Sequence, residues 1–262
     1  MELAGERWGG DGPAVVLLHS GVTDRRGWRD VALRLANLAN VVSYDRRGFG
    51  DTPPAASPFT HLRDLLAVLD EAAAGAAWLV GSSAGGGLAL DMAVVEPARV
   101  AGLVLLAPSV SGAPEPVDLD PGTQRISDLL DRAVAAGDLD VVNRLETWLW
   151  LDGPAGPEGR VTGEARELAL AMNGIVLGHG VPEDSGASGV DAWNRLEEVQ
   201  APTTVACGAL DVPFLVRRCE ELVARLPHGR HRVLAGTAHL PYLDQPDLVA
   251  EVIAQALTLP TP

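Results

Sequence analysis

Leu79-Val80-Gly81-Ser82-Ser83-Ala84-Gly85-Gly86-Gly87 is the stretch that decides how this chain folds. An apolar run, residues 76–80, leads into it, and a helix-forming run, residues 88–95, leads out. Gly81-Ser82-Ser83-Ala84-Gly85 therefore sits at a strand-to-helix turn and fits the pattern G-x-S-x-G. A serine at so tight a turn is held in a strained backbone conformation with its hydroxyl lifted clear of the sheet. The flanking glycines are required because a Cβ at either place would collide with the neighbouring helix or strand. The helix that follows aims its free N–H groups and positive dipole end at the serine. Ser83 is thus the candidate nucleophile. A run of small residues that merely packs closely would look the same in isolation, and the strand–turn–helix setting separates the two readings.

On the N-terminal side, the turn cluster Gly9-Gly10-Asp11-Gly12-Pro13 precedes a β-branched apolar run over 14–18, a buried strand that ends in His19-Ser20-Gly21. Residues 28–38 and 62–73 have helical spacing. Between them, 41–44 reads as a strand closed by Asp45-Arg46-Arg47-Gly48-Phe49-Gly50-Asp51. On the C-terminal side, 100–106 is a further strand. From Gly112 to about Gln200 no strand pattern occurs. Helices are expected there over 126–136, 139–149 and 164–177, with breaker-rich loops at 153–159 and 183–189. Strand and helix then alternate again: 203–207, 215–226, 231–234 and 248–257. The pattern predicts an α/β fold, a mostly parallel sheet with helices on both faces. Its core comprises residues 1–111 and 201–262, interrupted by a helical insertion over 112–200. Ligands of such sheets sit beyond the carboxyl ends of the strands. Ser83, Asp211, His239 and the His19–Gly21 loop each follow a strand, so all four are expected along one edge.

A serine hydroxyl needs a base, and the base needs an orienting group. Six histidines compete for the first role. His239 follows the last strand within Gly236-Thr237-Ala238-His239, whereas His19, His61, His179, His228 and His231 lack that context. Asp211, at a strand end in Gly208-Ala209-Leu210-Asp211, is the expected orienter, although aspartate is also common at turns and helix caps. The chain order Ser, Asp, His belongs to one fold among those that carry such a triad. The oxyanion of a tetrahedral intermediate requires donors. Ala84 N–H is one, and the loop after the first of these strands should supply the other, from Gly21 or, if the register shifts by one, Val22. Trp148, Trp150, Leu151 and Met172 in the apolar insertion are candidates for lining an acyl or ring pocket, with core packing the default role for any one of them, and Leu240 beside His239 is a further candidate for substrate contact.

The 262 residues carry a formal net charge of −15, which disfavours nucleic acid and anionic membrane surfaces as partners and leaves a small-molecule substrate as the expected one. Cys207 and Cys219 form no disulfide framework or metal pattern and suit a reducing compartment. The start, Met1 to Arg7, lacks a basic region followed by an apolar one, and no apolar run approaches the ~18 residues of a membrane span, so a cytoplasmic location is expected. Asp45, Asp51 and His61 lack ligand spacing, and no lysine follows Gly85-Gly86-Gly87 as in a phosphate loop. No metal or cofactor is expected.

These residues resemble the α/β-hydrolase superfamily. His19-Ser20-Gly21 resembles its oxyanion loop, with Ser20 in place of the usual glycine. Asp45 to Gly50 resembles its Asp-x-Arg-Gly-x-Gly turn, Gly81–Gly85 its nucleophile elbow, and Gly208–Asp211 and Gly236–His239 its acid and histidine loops. The match covers roughly residues 14–110 and 200–257, and the insertion falls where that family carries its cap. Within the superfamily the chain is most similar to small esterases and enol-lactonases. The resemblance implies hydrolysis of a small or medium, largely apolar carboxylic ester or lactone through an acyl-enzyme on Ser83. Carbon–carbon bond hydrolases, thioesterases, cofactor-free haloperoxidases and ligand-binding receptors share the frame. In the insertion, Arg144, Arg160 and Arg166 read as solvated faces.

Overall fold

The apolar, β-branched runs become the inner strands of one sheet in the computed structural model, which describes residues 3–55, 58–72, 75–180 and 189–259. Its strands are β1 (Gly5–Trp8), β2 (Ala14–Leu18), β3 (Asn40–Tyr44), β4 (Ala77–Ser82), β5 (Val100–Leu106), β6 (Thr203–Gly208) and β7 (Gly229–Leu234), in the spatial order β1-β3-β2-β4-β5-β6-β7. All neighbours are parallel except β1, which runs antiparallel to β3 with Gly5 opposite Tyr44. β1 is the strand that the sequence pattern does not announce. Gly-Glu-Arg-Trp is short, charged and at an edge, where one face and one rim meet water and no apolar run is required.

Alternation along each strand divides the interior into two cores. Val16 and Leu18 of β2, Leu79 of β4, Leu103 and Leu105 of β5 and Val205 of β6 face one side, under the helices α2 (His61–Ala72), α3 (Ala84–Val95) and α7 (Pro213–Arg225). Val15, Leu17, Val80, Val104, Leu106 and Ala206 face the other, under α1 (Arg29–Leu35) and α9 (Pro246–Leu257). α3 is buried almost all round, as its uniformly small and apolar sequence requires. The helix expected over 28–38 is divided. Asp24 accepts from Arg26 N–H at 3.0 Å and starts a 3-10 turn, Arg25–Trp28, from which α1 continues only to Leu35.

Between β5 and β6 the chain is helical: α4 (Pro121–Ala136), α5 (Leu139–Thr147), a π-helical turn Trp148–Asp152, α6 (Glu164–His179) and a 3-10 segment Ala192–Glu198. α8 (Pro241–Asp244) is a single turn after His239. The loop expected at 183–189 lies, apart from Gly189, outside the described residues. The loop at 153–159 is tied to the rest of the insertion through Asp152, which is completely buried, and to the core through Arg160. Its carboxylate accepts from Gly159 N–H (2.8 Å), Val161 N–H (2.9 Å) and Arg166 Nη1 (2.7 Å). Arg160 donates to Asp152 O, to Leu151 O and, across the fold, to Gly236 O (2.9 Å) and Asp244 Oδ2 (2.7 Å). The reading of Arg160 and Arg166 as solvated faces is therefore corrected: their side chains are 20% and 16% exposed and they brace the insertion. Their partners are remote in sequence, which spacing alone does not reveal. Arg144, 47% exposed and paired with Glu158, does lie at the surface. Among the described residues no helix is long and apolar enough to cross a membrane.

Candidate active site

The sheet order places a topological switch between β2 and β4, because the chain leaves β2 toward β3 and returns across it to β4. A crevice opens at the carboxyl ends of strands at such a point. The loop after β2 carries Gly21, and the turn after β4 carries Ser83.

Ser83 has φ 51° and ψ −117°, a left-handed conformation that costs a non-glycine residue of order 1–3 kcal/mol. The surroundings impose it. Ser83 N–H donates to Leu106 O at 2.9 Å, and its carbonyl accepts from Gly87 N–H (2.9 Å) and Ser109 N–H (3.0 Å). The flanking glycines are a matter of space. A Cβ on Gly81 would stand 2.3 Å from Gly85 O, and one on Gly85 would stand 2.3 Å from Leu18 O. Ser83 and Ala84 remain partly exposed at the mouth of this turn. Ala84 opens α3, where a backbone N–H has no intrahelical acceptor. A Cβ built on Gly21 would meet Ala84 Cβ at 4.0 Å, so the two expected oxyanion donors belong to adjacent loops. Val22 N–H already faces Ser20 Oγ at 3.3 Å, which favours Gly21 over Val22 as the free donor.

The loop after β2 is fixed by a buried polar network that includes the departure at Ser20. Ser20 Oγ and Thr23 Oγ1 are 2.9 Å apart, and Thr23 Oγ1 and Tyr242 Oη 2.7 Å apart. Below them, Arg46 N–H donates to His19 Nε2 at 3.0 Å, which leaves the proton of the neutral ring on Nδ1, facing Ser20 O at 2.8 Å. Arg46 Nη2 donates to Ser20 O (2.8 Å) and His19 O (3.2 Å). Burial, and then the neighbouring Arg46 charge, hold the His19 imidazole well below the usual histidine range. None of Thr23, Arg46 and Tyr242 is marked by a motif. Tyr242, three residues after His239, follows Pro241 in a segment that resembles an ordinary helix start.

His239 and Asp211 meet as expected from their strand ends. His239 Nδ1 lies 2.9 Å from Asp211 Oδ2, with 4% and 0% of the two side chains exposed. The second carboxylate oxygen accepts from Val212 N–H at 2.7 Å. An aspartate so placed fixes the imidazole proton on Nδ1 and leaves the Nε2 lone pair free. His239 N–H donates to Trp150 O at 3.1 Å, and the two rings lie 4.7 Å apart, so the insertion touches the histidine directly. Among the described residues no hydrogen bond joins Ser83 Oγ to His239.

The candidate pocket residues divide. Trp150 and Leu240 come together with Val22, Glu146 and Asn173 around a small crevice beside His239. Trp148 turns away, its Nε1 donating to Gly156 O (3.0 Å) with the Arg125 guanidinium over its ring. Met172 is fully buried, and its sulfur accepts from Asp24 N–H at 3.4 Å. A second cavity, of about 280 Å³, lies along the first turns of α3 and is bounded by Arg46, His61, Ala84, Asp91, Ser109 and Ser111, among others. A larger open cleft of about 500 Å³ follows β1 and includes none of the site residues.

The sequence matches the alpha/beta hydrolase family over residues 15–252. It is 30% identical over 246 residues to the pimeloyl-[acyl-carrier protein] methyl ester esterase of Edwardsiella ictaluri, covering 89% of this chain and 88% of that one. It is 26% identical over 257 residues to a Bacillus subtilis protein assigned as a 2-succinyl-6-hydroxy-2,4-cyclohexadiene-1-carboxylate synthase, covering 94% and 90% of the two chains. The enol-lactonase from Burkholderia xenovorans shares the fold, with a TM-score of 0.70 at 18% identity over 98% of this chain and 96% of that one.

Proposed function

Because this chain belongs to the alpha/beta hydrolase family, we propose that it is a serine hydrolase that cleaves a small or medium, largely apolar carboxylic ester or lactone. In this reading Ser83 Oγ attacks the carbonyl carbon while its proton passes to His239 Nε2. The Asp211 carboxylate holds the imidazole in position and stabilises the imidazolium that forms. Ala84 N–H and Gly21 N–H receive the oxyanion. His239 then returns the proton to the departing alkoxide; a water molecule, deprotonated by His239, attacks the acyl carbon, and His239 passes that proton to Ser83 Oγ as the acyl–oxygen bond breaks. The residues at 112–200 act as the cap, and Trp150 and Leu240 contribute apolar walls beside the histidine.

The observation that carries this reading is the buried His239–Asp211 hydrogen bond at the same sheet edge as the strained Ser83. Relatives named as an ester esterase and an enol-lactonase support the substrate class.

A panel of short acyl esters, lactones, acyl thioesters and a ring-cleavage dienoate tests the assignment. Esters or lactones should be the fastest substrates, and Ser83→Ala should abolish their turnover with an unchanged circular dichroism spectrum. A dienoate turned over far faster than every ester and lactone would replace this reading with carbon–carbon hydrolysis. Tight binding with no turnover of any member would replace it with a receptor.

A further inference from the structure

The turn Asp45-Arg46-Arg47 contains two adjacent arginines with different surroundings. Arg47 is paired with a carboxylate: its Nε and Nη2 reach Asp64 at 2.7 and 2.8 Å. Arg46 is only 5% exposed and has no carboxylate partner among the described residues. Its neighbours are neutral: the carbonyls of His19 and Ser20, and the face of Phe49 at 4.5 Å. Arg46 Nε is buried without a hydrogen-bond partner. Burial brings the guanidinium down to about 10, which still leaves it charged at neutral pH. A buried charge without an opposite charge is an expensive arrangement for a protein to keep.

Arg46 lines the cavity of about 280 Å³ that also contains Ala84, one of the proposed oxyanion donors. The groups around it favour an anion. His61 lies on the same wall with Nδ1 buried and unpartnered, and burial, followed by the Arg46 charge, lowers its pKa to about 4, so the ring is neutral. Gly87 and Leu88, from the first turns of the twelve-residue α3, form the floor, at the positive end of that helix. Asp91 is the carboxylate on the wall, and its Oδ1 is engaged by Ser111 Oγ at 2.6 Å rather than by Arg46. The protein's net charge of −15 provides no long-range attraction for an anion, so recognition must be local.

We infer that this cavity is a carboxylate subsite: the substrate carries, a few atoms from its reactive carbonyl, an anionic group that pairs with Arg46. The inference rests on the serine hydrolase reading and narrows it to esters or lactones with one carboxylate end on an otherwise apolar body. The cavity is at the small end of the range for ligand pockets, which suits a short carboxylate-bearing chain and excludes a long one.

The test uses two esters of equal length, p-nitrophenyl valerate and mono-p-nitrophenyl glutarate, which differ in a terminal methyl or carboxylate, together with calorimetric titration of free glutarate. The wild type should favour the glutarate ester at least tenfold in kcat/KM, chiefly through KM, and should bind free glutarate. Arg46→Met should abolish the preference and weaken glutarate binding at least tenfold, and Arg46→Lys should recover part of both. A role confined to bracing the His19–Ser20 loop would lower both esters equally and leave their ratio unchanged, and that result overturns the subsite. Should Arg46→Met fail to fold, Val110→Asp places a carboxylate on the same wall without altering Arg46. It should remove glutarate binding, and undiminished binding in that variant overturns the subsite. Glutarate binding that depends on Arg46, with neither ester hydrolysed, would overturn the hydrolase reading and leave the anion site standing. Hydrolysis of both esters without preference and without glutarate binding would do the reverse.

Discussion

The turn after β4 and the loop after the insertion's π-helical turn are both rich in small residues, and they are built in opposite ways. At the first, the signal in the sequence is local. Gly81, Ser83 and Gly85 are constrained by contacts within the turn and by the two strands that flank β4: Leu18 O of β2 stands over Gly85, and Leu106 O of β5 accepts from Ser83 N–H. At the second, Gly153 lies where a Cβ would stand 2.2 Å from Leu210 O, and the loop is held by Arg160 reaching Gly236 and Asp244. Those partners are 76 and 84 residues away in sequence. The elbow is therefore announced by a pentapeptide and locked by the strands beside it, whereas the insertion's loop carries no such signature and is locked to the core through Arg160. The insertion reaches the core at His239, whose backbone N–H donates to Trp150 O.

The largest effect that bears on this contrast should come from the core side. Asp211→Asn keeps the shape but leaves the imidazole proton on the wrong nitrogen. The expected loss is on the order of 10⁴ in kcat toward the best ester, with the fold intact. A loss under about tenfold would assign the orienting role elsewhere. On the insertion side, Arg166→Met leaves the fully buried Asp152 carboxylate without its cation. Breaking a buried pair costs about 3–5 kcal/mol, and the partial exposure of Arg166 reduces the expectation to about 2–3 kcal/mol in urea unfolding. The variant should also become sensitive to proteolysis within 153–159. Unchanged stability and cleavage would mean that the insertion is held by packing alone.

Recognition of the fold from sequence depended on the same distinction. The strands β2, β4 and β5 are built on nearly continuous apolar runs, and β3 and β6 on short β-branched ones bounded by turn residues, which is the signal a buried parallel strand gives. Ser83, Asp211 and His239 are legible because each follows a strand in the alternating pattern, His239 after the short run that closes β7, so topology brings them to one edge without any knowledge of contacts. β1 escaped because an edge strand needs no apolar run. Tyr242, Thr23, Asp152 and Arg160 escaped because their importance lies in partners, and no local pattern encodes a partner. Ser20 looked like a departure from its loop pattern until its bond to Thr23 supplied the reason.

Smaller effects sharpen the account of the loop after β2. Tyr242→Phe removes the hydroxyl that meets Thr23 Oγ1 and should cost about 1 kcal/mol of stability, with a severalfold drop in kcat as Gly21 loosens. Loss of stability with unchanged kcat would separate this network from the oxyanion donors. A further effect is pH-dependent. His19 and His61 are both held below the ordinary histidine value of 6.5, His61 at about 4. Between these values the unfolded chain binds more protons than the native one, so stability falls as the pH drops from about 6.5 toward 4. Each histidine contributes a slope of at most about 1.4 kcal/mol per pH unit. His61→Gln should flatten the dependence of the urea midpoint on pH between 6.5 and 5, and an unchanged slope would locate the proton uptake in other groups.

The central claim is that the strained serine of the β4–α3 turn is the nucleophile, activated by the His239–Asp211 pair. Fluorophosphonate labelling followed by peptide mass spectrometry tests it most directly. The account predicts one adduct, on Ser83, formed far more slowly in His239→Ala and absent in Ser83→Ala. An adduct on Ser82, Ser20 or Ser109, or equal labelling of the wild type and Ser83→Ala, would contradict it.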